Sequence, residues 1–212
     1  MHSLVSGFEF ILRGGFMMYP LLLSALIAIA VIFERIVIFQ KRFQTPPEFR
    51  FKVFDLIKAG KLDEAQKLCA TIETPVSSVI SNGISHFKNP IEEMELSMKN
   101  SAEEWVPLLE KRVEIIDTVI TAAPLMGLLG TITGMMGSFQ VLSEKGVNEP
   151  NAITGGVAEA LIATATGLVI ALFCLVAYNY LSTKIKIFIY DLEAVASRLV
   201  EIRMSAERER QK

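Results

Sequence analysis

The sequence has few of the residues that metal sites and disulfides require. Its 212 residues include only two cysteines and two histidines. Cys69 and Cys174 lie far apart, one in a polar region and one in an apolar segment, so neither a disulfide nor a metal site is expected. His2 and His86 are too far apart in the chain to form a cluster. We therefore predict no metal and no cofactor.

The chain also lacks a strong charge of either sign. Its 21 basic and 23 acidic side chains leave a net charge of -2, which provides no general attraction to nucleic acid, and no nucleic-acid motif is present. Apolar residues, by contrast, make up 51% of the chain. Whether such a chain spans a membrane is decided by its contiguous apolar runs.

The first apolar run predicts a transmembrane helix over residues 16–39. Residues 16–33 are uncharged, and apolar character continues beyond Glu34 and Arg35. A signal peptide is the alternative, because Ala28-Ile-Ala30 resembles a cleavage site. Its basic N-terminal region is weak, and the apolar run continues past the cleavage point, so we favour the transmembrane helix.

Two further apolar runs predict two more transmembrane helices. Residues 119–142 contain no charged side chain. Residues 153–181 exceed the length that a hydrocarbon core of about 30 Å requires at about 1.5 Å per residue, so the spanning part is expected near residues 157–180.

A glycine stripe marks the second predicted span. Its glycines are separated by three, four and three residues: Gly127, Gly130, Gly134 and Gly137. This spacing puts them on one face, where the backbone of a neighbouring helix can approach closely. Pro124 removes one backbone hydrogen bond and permits a kink. We therefore predict an interior helix, whereas the first span has no such stripe and is expected to be peripheral or lipid-exposed.

The polar region between the first and second spans is predicted to be helical. Short helices are expected over residues 51–59, 62–69 and 75–87. Asn89 and Pro90 predict a further helix start, with Asn89 as the cap. An apolar face from Val106 to Ile120 predicts one helix running without a break into the second span, bent at Pro107.

Basic side chains predict the orientation in the membrane. They accumulate at the ends of the large polar region and after the third span: Lys41, Arg42, Arg50, Lys52, Lys111, Arg112, Lys184 and Lys186. The N-terminal segment has only Arg13, and the short polar hairpin at residues 143–152 has only Lys145. The N terminus and the hairpin are therefore predicted to face outward, and the large polar region and the C terminus to be cytoplasmic.

The predicted order is a periplasmic N-terminal segment (1–15), transmembrane helix 1 (16–39), a cytoplasmic helical domain (40–118), transmembrane helix 2 (119–142), a periplasmic hairpin (143–152), transmembrane helix 3 (153–181) and a cytoplasmic C-terminal helix (182–212).

Glu159 is the acidic side chain inside the third span. A charge in the membrane interior costs about 3 kcal/mol on insertion scales, so a functional role is the first interpretation. The carboxylate would then face a water-filled or protein-lined path. The alternative is an interfacial residue close to the hairpin, neutralised by Lys145.

Three threonines accompany this glutamate. Thr131 and Thr164 are predicted at similar depth, with Glu159 further out as the outer member of a lining. Thr166 falls near the face of Glu159, and Thr164 lies about 140° away. Either Thr164 faces a lumen while Thr166 and Glu159 face a helix contact, or the reverse holds. Each threonine alone could instead bond a backbone carbonyl or join two helices.

Two motifs resemble a known family. Residues 121–139, TAAPLMGLLGTITGMMGSF, and residues 156–168, GVAEALIATATGL, are similar to the MotA/TolQ/ExbB proton-channel family, in its three-span ExbB/TolQ branch. The resemblance implies pore threonines at Thr131 and Thr164 and a membrane glutamate at Glu159. It also places Pro124 in a Pro-x-x-Gly-Leu motif.

The resemblance further implies a homopentamer in the bacterial inner membrane. Its pore would hold the single transmembrane helices of an ExbD/TolR-like partner, which brings a membrane aspartate. The proton-motive force would then drive a TonB- or TolA-like protein that spans the periplasm. No catalytic residue and no enzyme activity are implied.

The predicted fold is an all-α membrane protein with three transmembrane helices and long cytoplasmic helical extensions. Because only two spans are of the interior type, one copy cannot enclose a pore, and a homo-oligomer is expected. A stand-alone ion channel or small transporter is the alternative function, although no inverted repeat or pair of broken helices is visible. A membrane-embedded hydrolase is disfavoured, because Glu159 has no histidine or second acid in the spans to act with.

Overall fold

The computed structural model describes residues 14–43, 45–145 and 150–210. These residues form helices and no strand: α1 (Met18–Arg42), α2 (Pro47–Lys58), α3 (Leu62–Cys69), α4 (Pro75–Ser85), α5 (Ile91–Glu103), α6 (Val106–Glu110), α7 (Val113–Lys145) and α8 (Pro150–Arg210). Most of the predicted N-terminal segment and the centre of the predicted hairpin lie outside the described residues.

Three of the helices are long and apolar enough to cross a membrane. The qualifying stretches are Met18–Phe39 of α1, Val113–Glu144 of α7 and Thr154–Arg208 of α8. The prediction of an all-α protein with three membrane-spanning helices is confirmed. Contiguous apolar runs are responsible, because in lipid a helix satisfies all of its backbone hydrogen bonds internally.

Residue contacts divide the chain into two units. The first consists of the described residues up to Glu34 together with residues 112–180, and the second of residues 35–111 with the described residues from 181 onwards. In the first unit, α1 is buried on one side only. Leu21 and Ala28 are fully buried, whereas Leu26 and Phe33 are exposed. This one-sided burial suits a helix at the edge of a bundle.

The second unit has its own hydrophobic core. Short helices α2 to α5 pack around residues 181–210 of α8, and the largest fully buried side chains include Ile80, Met94, Met98, Leu192 and Leu199. A capping box in which Thr74 and Ser77 exchange hydrogen bonds begins α4. The predicted cap at Asn89 is wrong: α5 begins after Pro90, and the Asn89 side chain donates to Glu93 instead.

The unbroken helix predicted from Val106 into the second span is also wrong. The chain ends α5 at Glu103, forms the short α6, and starts α7 only at Val113. Proline inside a helix lacks an N–H and clashes with the carbonyl four residues earlier, which for Pro107 is that of Glu103. Pro107 therefore occupies the first turn of α6, where its missing N–H is tolerated. A second break follows at Arg112, whose φ is +64°.

Candidate functional site

The candidate site begins with a close backbone contact between α7 and α8. A side-chain carbon added at Gly127 would lie 3.0 Å from the carbonyl oxygen of Ala163. One added at Gly134 would lie 2.9 Å from the carbonyl oxygen of Gly156. At Gly134 this distance is shorter than real Cβ atoms show, and at Gly127 it is at that limit, so glycine at both positions favours the short separation of the two helices.

The other two glycines of the stripe differ from each other. A carbon at Gly130 would lie 2.6 Å from Cβ of Ala163, and 3.4 Å from Cβ of Met17 at the start of the first span. A carbon at Gly137 would meet nothing within 4 Å. Three of the four glycines therefore make the contact within this chain, and Gly137 does not.

The third span contributes its own small residues, which the glycine stripe alone did not predict. They recur at steps of four, three and four: Gly156, Ala160, Ala163 and Gly167. A carbon at Gly167 would lie 2.5 Å from the carbonyl oxygen of Ala123, and the side chains of Ala160 and Ala163 are buried. Like the α7 glycines, these residues alternate steps of three and four, so the sequence did contain a signal for both sides of the contact.

The contacts fix how the two antiparallel helices are aligned. Gly127 lies beside Thr164, and Gly134 lies beside Ala160. Thr131 is four residues beyond Gly127, which is about 6 Å along the helix. The two threonines are thus about one helical turn apart along the pair, and Glu159, next to Ala160, lies near the level of Gly134.

Both threonine hydroxyls donate to backbone carbonyls. The Thr164 Oγ1 donates across the helix pair to the Gly127 carbonyl at 2.9 Å. The Thr131 Oγ1 donates to the Leu128 carbonyl of its own helix at 2.7 Å. A hydroxyl has one proton and two lone pairs, so each retains the capacity to accept a hydrogen bond. These side chains can therefore bind a donor such as water or a hydrated cation.

The two threonines lie on the same side of the α7–α8 pair. The reference is the segment 14–17, which contacts Gly130 of α7 and Glu159 of α8. Successive residues turn by about 100° around a helix, so Thr131 is rotated by about 100° from Gly130 and Thr164 by about 140° from Glu159. Because the helices are antiparallel, both rotations carry the threonines away from segment 14–17.

Glu159 faces the opposite side. Its carboxylate lies against Gly15, and its Oε1 occupies the space that a Cβ would need there. Gly15 has a φ of +74°, a conformation that favours glycine. Among the described residues, no side chain or amide donates a hydrogen bond to this carboxylate. Of the two arrangements left open by the sequence, the structure has Glu159 at a helix contact.

The remaining polar positions make local contacts. Thr166 donates to the Ile162 carbonyl at 2.8 Å and is half-buried. Pro124 lies inside α7, which remains helical on both sides of it. The Lys145 side chain, the predicted neutralising partner of Glu159, lies outside the described residues. Within the described part of the chain, no group of three or more metal-ligating side chains is assembled.

Comparison with known proteins identifies the family. The sequence profile described as the MotA/TolQ/ExbB proton channel family matches residues 71–194, a range that contains the whole α7–α8 contact. The chain belongs to this family. MotA/TolQ/ExbB proteins are transport and proton-channel motor subunits, and membership together with three apolar helices makes this chain a multi-pass inner-membrane protein.

Individual relatives come from both ExbB and TolQ groups. An ExbB-like biopolymer transport protein of Synechocystis is 31% identical over 170 residues, which cover 79% of this chain and 81% of the relative. The biopolymer transport protein ExbB of Aquifex aeolicus is 42% identical over 87 residues, covering 41% and 59%. The Tol-Pal system protein TolQ of Haemophilus influenzae is 38% identical over 99 residues, covering 47% and 42%.

Proposed function

We propose that this chain is the membrane subunit of an ExbB/TolQ-type motor driven by the proton-motive force. The observation that carries the proposal is the pair Thr131 and Thr164, on one side of a glycine-packed helix pair, each with free lone pairs. A hydroxyl that accepts but does not need to donate suits the passage of a hydrated proton. In this proposal, the N terminus is periplasmic and the C terminus cytoplasmic.

The threonine side of the pair supports the need for a partner. Residues 118–143 and 160–183 contain no Asp, Glu, Lys, Arg or His, and Glu159 faces the other side. A proton path needs a group that binds and releases the proton, and this side of the chain has none. An ExbD/TolR-like single-span protein with a membrane aspartate would provide it.

The exposed apolar side chains of the pair support a homo-oligomer. Those of α7 include Leu125, Leu128, Ile132, Met136 and Phe139, which are 48–66% exposed. In a pentamer, α7 and α8 of each copy would line the lumen, with the first span outside against lipid. The partner helices would then stand inside a ring of threonines.

The motor would deliver its work to a TonB- or TolA-like protein, for outer-membrane transport or envelope maintenance. Each proton that crosses the membrane supplies about 2.3 kcal/mol per 100 mV.

The test replaces threonines with isosteric valine in cells that express the chain at its normal level. Thr131→Val and Thr164→Val should lower proton-motive-force-dependent output, measured as siderophore uptake or envelope integrity, by about tenfold or more, since a hydrogen bond to a charged group contributes about 1.5–3 kcal/mol. Thr133→Val is the matched control, because Thr133 also donates only to carbonyls of its own helix, at 3.1 Å, but points to another face. Wild-type output from both valine variants at 131 and 164 would overturn the assigned roles.

The rival function is a stand-alone ion channel or small transporter. The proposal predicts that the purified chain alone in liposomes conducts few protons, and that adding the aspartate-bearing partner raises the flux. Threonine-dependent flux from the chain alone would favour the rival.

A further inference from the structure

We infer that Glu159 is a positioning residue. Its carboxylate contacts Gly15 and holds the start of the first span against α7 and α8. This role differs from the one that the family resemblance implies, in which Glu159 lies in the ion path. Its functional consequence rests on the proposed motor function, whereas its structural test does not.

The contact between Glu159 and Gly15 is shaped for glycine. The Glu159 carboxylate fills the space beside Gly15 where any other residue would have its Cβ. The φ of +74° at Gly15 separately disfavours every residue with a side chain. The backbone conformation thus favours glycine at the point where the carboxylate rests, and a side chain there would displace the carboxylate.

The contact continues on both sides of Gly15. A carbon at Gly14 would lie 3.1 Å from Cγ2 of Ile162, one turn along α8 from Glu159. Met17 lies close to Gly130 of α7. Gly14 and Met18 are buried. Segment 14–18 therefore rests on both helices, and Glu159 provides the charged part of that surface.

Electrostatics also favours a carboxylate at this position. The N-terminal end of a helix carries a partial positive charge from its unpaired N–H groups, and a carboxylate nearby stabilises it. The helix α1 begins at Met18, three residues after Gly15, and has no acidic residue in its own first turn. Glu159 of α8 brings a carboxylate to this end of α1. A charge that would be costly in lipid is thereby used within the protein.

Glu159 and the two threonines face opposite sides of the helix pair. Thr131 and Thr164 turn away from segment 14–17, and Glu159 turns towards it. A proton moving along the threonines would not meet Glu159 unless it crossed the glycine-packed contact. Loss of Glu159 should therefore affect output through the position of the first span.

The structural test is a cross-link between Gly14→Cys and Ile162→Cys, formed by oxidation in native membranes. The native cysteines are replaced by alanine. A carbon added at Gly14 lies 3.1 Å from Cγ2 of Ile162, and the Cβ of residue 162 is one bond further along that side chain, so the Cβ–Cβ distance of about 3.5–4.5 Å that a disulfide needs is within reach. The added carbon also lies 2.6 Å from Sδ of Met18, so the flexible end of that side chain must shift. The rate of cross-linking should fall several-fold in Glu159→Ala and in Gly15→Ala. Thr131→Val, which faces away from segment 14–17, should leave it unchanged.

The functional test asks whether the disulfide restores what Glu159 provides. If Glu159 only positions the first span, oxidised Gly14→Cys/Ile162→Cys/Glu159→Ala should recover most of its output, and the reduced form should not. The double variant Gly15→Ala/Glu159→Ala should be no worse than either single variant.

Two results would overturn the inference. One is an unchanged cross-linking rate in Glu159→Ala, which would show that the carboxylate does not hold the segment. The other is a reduced rate with no recovery of output on oxidation, which would return Glu159 to the ion path. If instead the motor proposal is wrong, the unsubstituted chain would show no proton-motive-force-dependent output. The effect of Glu159→Ala on the cross-linking rate would still be observed.

Discussion

At the scale of single residues, Arg112 is held in a conformation that most side chains avoid. Its φ is +64°, and its guanidinium pairs with Glu34 at 2.5 Å in a partly exposed position. The left-handed conformation costs a residue with a side chain about 1–2 kcal/mol, whereas an exposed ion pair contributes only about 0.2–1 kcal/mol. The backbone strain is therefore the larger effect.

Substitutions at Arg112 separate these two effects. Arg112→Ala keeps the strain and loses the ion pair, and Arg112→Gly loses both. We predict that the glycine variant unfolds with a free energy about 1 kcal/mol higher than the alanine variant. Thermal unfolding in detergent measures the difference. An alanine variant as stable as the glycine variant would show that Arg112 is not strained in solution.

Cys69 is a second residue with a measurable property. Its side chain is 4% exposed in the core of the second unit, and burial raises the pKa of its thiol from 9.0 to about 11. Alkylation at pH 8 should be about 100-fold slower than in the unfolded chain, since each pKa unit lowers the thiolate fraction about tenfold. Mass spectrometry after iodoacetamide treatment checks this. Equal rates in both states would contradict it.

The same shift predicts a pH dependence of stability. The unfolded thiol ionises near 9.0 and the folded thiol near 11, so the folded state binds the proton more tightly. The contribution of Cys69 is present below pH 9 and is lost as the pH rises towards 11. A Cys69→Ala variant should show a shallower fall in unfolding free energy over that range.

The position of Glu159 on its helix could be predicted from the sequence, but its contact with Gly15 could not. The depth of Glu159 and its angle to Thr164 followed from helical periodicity. Its neighbour Gly15 did not, because periodicity gives the faces of one helix and not which part of the chain covers each face. Nothing in Gly14-Gly15 specifies a partner about 145 residues away.

At the scale of elements, two substitutions in the glycine stripe of α7 are predicted to change the unfolding free energy in opposite directions. Gly134→Ala should lower the unfolding free energy by about 1–3 kcal/mol, because its Cβ would press on the carbonyl of Gly156. Gly137→Ala should raise it by about 0.5–1 kcal/mol, because alanine favours the helix and space is open there. Urea or detergent unfolding compares them.

The same pair tests the antiparallel alignment of the helices. If both variants lose stability equally, the stripe packs along its whole length and the position of Gly137 is different in the assembled protein. The chemistry of the two substitutions is identical, so any difference between them comes from their surroundings.

The breaks around α6 explain why the prediction of one unbroken helix from Val106 into the second span was wrong. The apolar residues Val106, Leu109 and Val113 keep a helical spacing across the break at Lys111 and Arg112, although the helix does not continue there. Periodicity alone therefore could not reveal where hydrogen bonding stops. Pro107 was the available signal, and its clash with the carbonyl of Glu103 ends α5.

At the scale of the whole molecule, the three spans were predictable because each is a contiguous apolar run, and a run of that length has few alternatives to crossing a membrane. The number of copies in the assembly is a different matter, because it depends on faces that one chain leaves uncovered. Leu128 and Met136 of α7 are on such a face.

We predict that the chain, extracted into native membrane nanodiscs, has the mass of a pentamer. Burying the exposed side of α7 and α8 against a second copy is what favours assembly. Native mass spectrometry or light scattering measures the mass. A single monomeric species would exclude a lumen built by this chain.

The hydrogen bonds of Thr131 and Thr164 have one more consequence. A proton wire needs groups that accept on one side and donate on the other, and then reorient before the next proton arrives. Both hydroxyl protons here are already held by backbone carbonyls. Such a lining can solvate a positive charge at rest but interrupts conduction between one threonine and the next. In the proposed assembly, gating would therefore depend on the partner helix that moves between the threonines, and the ring would stay closed to protons until that helix turns.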